Sequence, residues 1–179
     1  MGWTKDTIFT VGHSTLAPDE FVELLNSYEI KRLADIRTIP RSRHNPQFNA
    51  DELAQTLPAA GIEYVPTPTL GGLRHARKDS PNSAWRNKSF RGYADYMQTP
   101  EFARAVEELI AGAASGRTAI MCAEAVPWRC HRSLVADALG VRGVPVVEIM
   151  SKTSSRMHQL TSFARVDGTR VTYPPEDES

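Results

Sequence analysis

Five short apolar runs, separated by segments of helical periodicity, constrain this chain more than any other feature of it. They are Ile8-Phe9-Thr10-Val11, Arg32-Leu33-Ala34-Asp35-Ile36-Arg37, Ile62-Glu63-Tyr64-Val65, a run opening at Thr118, and Val144 to Met150. Runs of this length, bounded by glycine, proline and polar residues, read as buried strands. The intervening helices have their own signals. Pro18 stands at a first helical position with Asp19 and Glu20 behind it, and Phe21, Leu24, Leu25 and Tyr28 follow on one face. Asn49 with Glu52 reads as a capped start for a helix burying Leu53 and Leu57. Helical spacing returns at Tyr93, Tyr96 and Met97, again after Thr99-Pro100-Glu101, and finally at Leu134, Val135, Ala138 and Leu139. The predicted order β-α-β-α-β-α-α-β-α-β specifies an α/β fold, a single domain with a mostly parallel sheet and helices on both faces.

At 179 residues the chain is sized for one domain, residues 1–179, with its core in about 8–150. Residues 66–92 have no regular periodicity and form a long basic loop, expected to be either a binding lid or disordered. Residues 151–179 are irregular, with Val171-Thr172-Tyr173-Pro174-Pro175 expected to add an edge strand and Glu176-Asp177-Glu178 to fray.

No stretch is apolar enough to span a bilayer, and Met1 to Asp6 lacks the core of a signal peptide, so a cytoplasmic protein with no membrane partner is expected. In that compartment Cys122 and Cys130 are expected to be thiols. Net charge is zero, which argues against a global field that draws in polyanions. The charge is unevenly placed, however: six basic residues lie between Arg74 and Arg91 against the single acid Asp79.

Loops that follow parallel strands emerge at one sheet edge, so His13, Asp35, Arg37 and the stretch from Cys122 to Arg132 are predicted to share a crevice. Glu124 stands just past a strand, as a general acid, base or nucleophile would, with a salt bridge to Arg129 or Arg132 as the alternative. Cys130 sits at a helix start beside His131 and two arginines, the setting of a reactive cysteine, or else packs that start as a small buried residue. Arg132, Ser133 and the helix N–H groups suit a phosphate or carboxylate, with Arg129, Arg41 and Arg43 as further contributors. Asp35 and Arg37 suit an internal ion pair as well as a binding role. Trp128 and Trp85 offer faces to a base, or anchor the core.

Two familiar motifs are absent. Cysteine phosphatase loops separate cysteine from arginine by five residues, whereas six separate Cys122 from Arg129. No C-x-x-C or H-x-x-x-H pair is present to nucleate a zinc site, so neither metal nor cofactor is expected. The elements G-H-S at Gly12 to Ser14, D-I-R at Asp35 to Arg37 with P-R-S following, L-G-G at Leu70 to Gly72, and C-A-E ending in C-H-R at Cys122 to Arg132 together resemble domain of unknown function family 488. The resemblance runs from about Ile8 to Met150. It implies an α/β domain and implicates His13, Ser14, Asp35, Arg37, Gly71, Gly72, Cys122, Glu124, Cys130, His131 and Arg132, without supplying a reaction.

The leading expectation is an enzyme, a hydrolase or transferase, acting on a small anionic ligand or nucleotide. Glu124, Cys130 and His131 would be catalytic, and His13, Ser14, Asp35, Arg37, Gly71, Gly72, Trp128 and Arg132 would bind substrate. The alternatives are a nucleic-acid-binding or nucleotide-sensing domain built on the basic loop, and a redox-responsive domain in which Cys122 and Cys130 pair under oxidation. The sequence leaves the oligomeric state open.

Overall fold

The computed structural model describes residues 2–176, so the acidic residues Asp177 and Glu178 lie outside the described residues. The strands are β1 (Ile8–Gly12), β2 (Arg32–Asp35), β3 (Glu63–Pro66), β4 (Thr118–Cys122), β5 (Val146–Ile149), β6 (Ser155–Met157), β7 (Arg165–Asp167) and β8 (Arg170–Thr172). The helices are α1 (Pro18–Ser27), α2 (Ala50–Ala59), α3 (Lys88–Tyr96), α4 (Pro100–Ala113) and α5 (Arg132–Gly140). The main sheet has the order β3-β2-β4-β1-β5-β6. Its first five strands are parallel and β6 runs antiparallel to β5.

Alternation along the strands divides the core between two faces. Phe9, Val11, Leu33, Ala119 and Met121 point to one, where α1 and α2 bring Phe21, Leu25, Leu53 and Leu57. Ile8, Ala34 and Ile120 point to the other, covered by Tyr93 of α3, Phe102 and Val106 of α4, and Leu134 and Val135 of α5. The consequence for function lies at β4. Its neighbours β1 and β2 lead to helices on the first face, while β4 itself leads to α5 on the second. Chains that leave adjacent parallel strands toward opposite faces part from one another and open a crevice.

Three local expectations are corrected. The side chain of Asn49 does not cap α2; its Oδ1 accepts from the Ser42 amide at 2.8 Å and so braces the loop after β2 instead. The stretch around Val171 does not join the main sheet: β8 pairs with β7 in a separate two-stranded ribbon, and β6 supplies the edge. The long basic segment is organised rather than featureless. Buried Asp95 of α3 accepts from the Arg77 amide at 2.8 Å, the Ser80 hydroxyl at 2.6 Å and the Asn82 amide nitrogen at 2.7 Å, and α3 already begins at Lys88.

Candidate functional site

Glycine sets the closeness of the crevice walls. A Cβ on Gly12, at the end of β1, would overlap the Glu124 carbonyl, and one on Gly71 would overlap Thr38, so both chains pass where no larger residue fits. A Cβ on Gly72 would stand 2.7 Å from Nδ1 of His131. These contacts explain why G-H-S and L-G-G accompany C-A-E and C-H-R in one sequence.

On the β1 and β2 side, His13 is buried and stacks on Phe48 at 4.3 Å between ring centroids. Its Nδ1 lies 2.8 Å from the Ser14 carbonyl, which can only accept, so Nδ1 carries the proton. Nε2 is left as an acceptor, 3.4 Å from an Arg37 NH1 group. Burial lowers the His13 pKa, and Arg37 adds to that, so the ring is neutral at pH 7. Arg37 makes a two-pronged pair with Asp35 at 2.8 and 2.7 Å, donates to the Phe48 carbonyl at 2.7 Å, and shares Asp35 with the Tyr64 hydroxyl at 2.6 Å. Asp35 is thus an interior anchor that aims Arg37, and Arg37 reaches the crevice while Asp35 does not.

On the β4 side, His131 Nε2 donates to the Ile36 carbonyl at 2.9 Å, which leaves Nδ1 unprotonated 3.5 Å from Sγ of Cys130. Burial drives the His131 pKa down to about 4, and the charge of Arg132 acts in the same direction. His131 is therefore a neutral base at physiological pH, held in the tautomer that faces a cysteine. The expectation of two free thiols is corrected: the sulfurs of Cys122 and Cys130 are joined as a disulfide across the crevice wall, with their Cα atoms 7.5 Å apart.

Arg132 requires a second correction. It is fully buried, donating to Sγ of Cys122 at 3.0 Å, the Thr10 hydroxyl at 3.1 Å, and the carbonyls of Glu124 at 2.5 Å and Ala125 at 3.4 Å. Burial lowers its pKa to about 10, still a cation at neutral pH. Its guanidinium clasps the loop after β4 and faces protein acceptors, so it is not the anion contact expected from the sequence. Three amides at the start of α5 are also engaged within the chain. The amides of Ser133, Leu134 and Val135 already bond to the carbonyls of Cys130 and His131.

The crevice is a cavity of about 410 Å³. His13, Arg37, Gly72, Cys122, Glu124, Cys130 and His131 line it, together with Arg41, Arg129 and Phe90. Glu124 is exposed, bonds to the Val126 amide at 3.1 Å, and among the described residues makes no ion pair with Arg129 or Arg132. Ser14, Gly71, Asp35 and Trp128 do not line the cavity. Ser14 holds its backbone at φ 51° and bonds through its amide to the Ala123 carbonyl, and Trp128 faces a different cleft beside Arg156. Thr38, Ile39, Ser42, Leu73, Ser89 and Phe90 also line the cavity and were not singled out from the sequence; loop residues of ordinary composition carry no local signal of such a role. Among the described residues no cluster of three histidine, cysteine or acidic side chains is placed to hold a metal ion. Among the described residues no helix is long and apolar enough to cross a membrane.

Comparison with curated proteins and with solved structures finds no match. A family model described as Domain of unknown function DUF488 matches residues 17–139, which includes Asp35, Arg37, both cysteines, Glu124 and the C-H-R element. The match covers more than half of the chain, and the protein therefore belongs to that family.

Proposed function

We propose that the protein is an enzyme acting on a small anionic or nucleotide-like substrate held in the crevice between β1, β2 and β4. One observation carries this reading: His131, neutral and with Nδ1 bare, faces Cys130 at 3.5 Å in a cavity that also presents Glu124 and the guanidinium groups of Arg41 and Arg129. In the reduced protein His131 takes the Cys130 proton and the thiolate bonds to the electrophilic phosphorus or carbon as its bond to the leaving oxygen breaks, that oxygen taking the proton back from His131. A water that gives a proton to Glu124 then attacks the adduct, the bond to sulfur breaks, and the proton passes from Glu124 to the released thiolate. Arg41 and Arg129, both exposed at the rim, bind the anionic part, and Arg37, aimed by Asp35, completes the polar wall. The cavity volume suits a ligand of nucleotide size.

The test begins with reduced protein and a panel of nucleoside mono-, di- and triphosphates, sugar phosphates and inorganic phosphate, read by thermal shift and then by turnover. Binding that is lost in Arg41→Glu and Arg129→Glu, with turnover lost in Cys130→Ser and Glu124→Gln, is the expected pattern. Full turnover in both latter variants would refute the assignment.

A second reading is favoured by the joined sulfurs. Peroxide oxidises the two thiols to the disulfide and is itself reduced to two waters, which removes the Cys130 nucleophile and makes the crevice responsive to redox state. Two thiols still titratable after mild peroxide treatment would eliminate it.

A further inference from the structure

The groove that continues the crevice carries a basic cluster, although the net charge of the chain is zero. It is a second cavity of about 550 Å³, lined by Arg74, His75, Lys88 and Arg91 and by no acidic residue, and it shares Gly72, Leu73 and Ser89 with the crevice. The only acid of the basic segment, Asp79, pairs with Arg77 at 2.9 Å, outside the groove. Arg74 is stacked 3.6 Å over Tyr96 and Arg91 donates to the Trp85 carbonyl at 3.0 Å, so both guanidinium groups are held in place. Lys88 is exposed and, among the described residues, makes no ion pair. It occupies the first turn of α3, where the helix dipole disfavours a cation, so local helix stability does not account for its placement. At the junction of groove and crevice stand Leu73, 68% exposed, and the partly buried ring of Phe90.

We infer that the ligand is a single-stranded nucleic acid, with one nucleotide in the crevice and its phosphate backbone running along Arg74, Lys88 and Arg91. This rests on reading the crevice as a ligand site and names the class of ligand. Clustered cations hold the phosphates of a strand, and an aromatic face beside them meets a base. A crevice of one-nucleotide size admits a strand end or an unstacked base and excludes a duplex.

Fluorescence anisotropy of reduced full-length protein with labelled twelve-residue DNA and RNA single strands tests the inference, alongside the matching duplexes, a labelled mononucleotide and polyglutamate. The single strands are expected to bind more than tenfold tighter than the mononucleotide, the duplexes or polyglutamate. Three phosphate contacts predict a log-log salt slope of about −2, and Lys88→Glu should flatten it by about 0.7 and weaken strand binding several-fold while leaving mononucleotide binding unchanged. Equal affinity for strand and mononucleotide, with Lys88→Glu silent, would overturn the inference and leave the crevice reading standing. Preference for duplex, equal binding of polyglutamate, or no strand binding at low salt would also overturn it. Loss or survival of turnover in Cys130→Ser bears on the catalytic reading alone.

Discussion

His158 offers the most quantitative test of how this fold is held together. It comes from the C-terminal segment and lies between two carboxylates: Nε2 is 2.8 Å from Asp137 of α5 and Nδ1 is 3.5 Å from Glu148 of β5. Its side chain is 9% exposed. Burial alone would lower its pKa, but hydrogen bonds and charge from Asp137 and Glu148 outweigh burial and raise it to about 9. Glu148 also accepts from Arg156, and those bonds hold its carboxyl below the usual range against the opposing effect of burial. A folded pKa raised above the unfolded value of 6.5 contributes stability that is complete below 6.5 and lost as pH rises through about 9. The full shift is worth about 3 kcal/mol, of which roughly 2 kcal/mol is lost between pH 7.5 and pH 10. That is a large share of a typical folding free energy of about 5–15 kcal/mol. Urea unfolding of the parent and of His158→Gln across that interval should show the stability gap between them shrinking by about 2 kcal/mol, because the other titrating groups are common to both proteins. A gap that stays constant from pH 7.5 to pH 10 would show that His158 is not a charged partner of the two carboxylates.

Other expectations follow from single contacts. Gly72→Ala places a methyl group 2.7 Å from Nδ1 of His131, so it should abolish ligand turnover while costing about 1–3 kcal/mol in urea unfolding. Arg132→Ala removes the clasp on the loop after β4 and should cost about 3–5 kcal/mol, measured by the same method. Because the His131 pKa lies at about 4, turnover by the reduced protein should show no acid limb near 6.5, and a limb there would show that His131 is not held neutral by burial. Asp95→Ala releases the three donors that organise the basic segment, and brief trypsin treatment should then cut after Arg77, Lys78 or Arg86, sites that resist in the parent.

The parts of the fold legible in the sequence are those whose signal is local. Apolar runs such as Ala119-Ile120-Met121 announce buried parallel strands, and parallel pairing then brings His13, Arg37 and Cys122 to one edge without any knowledge of their contacts. What was not legible depends on partners distant in the chain. Asn49 carries a capping pattern, yet a loop amide seven residues earlier takes its side chain. Arg132 stands where an anion contact would, yet its acceptors include Thr10, far back in β1. The cysteine pairing was open for another reason: a separation of eight residues is compatible with two thiols or with a bond.

Helix α5 shows why the structural roles of two buried polar residues, Arg132 and Asp137, are not legible in the sequence. All residues from Arg132 to Leu139 are buried, because the sheet covers one side of the helix and the C-terminal segment covers the other. A helix enclosed in this way has no solvent stripe, so its amphipathic pattern is weak and its charged residues look like surface positions in the sequence. Each instead fastens a different element. Arg132, at the first turn, holds the loop carrying Glu124 through backbone carbonyls, and so fixes one wall of the crevice. Asp137, five residues later, accepts from His158 at 2.8 Å, from the amide and hydroxyl of Thr161 at 3.1 and 2.7 Å, and from the Tyr173 hydroxyl at 2.7 Å. The buried Asp137 carboxylate thus binds residues 158–173 to the same helix that shapes the crevice. Buried charges are retained at a cost in desolvation, and here each has protein partners that remove the penalty of leaving it unpaired. The irregular C-terminal segment is therefore part of the support behind the crevice wall, attached both by the Asp137 carboxylate and by the buried side chains of Val171 and Tyr173.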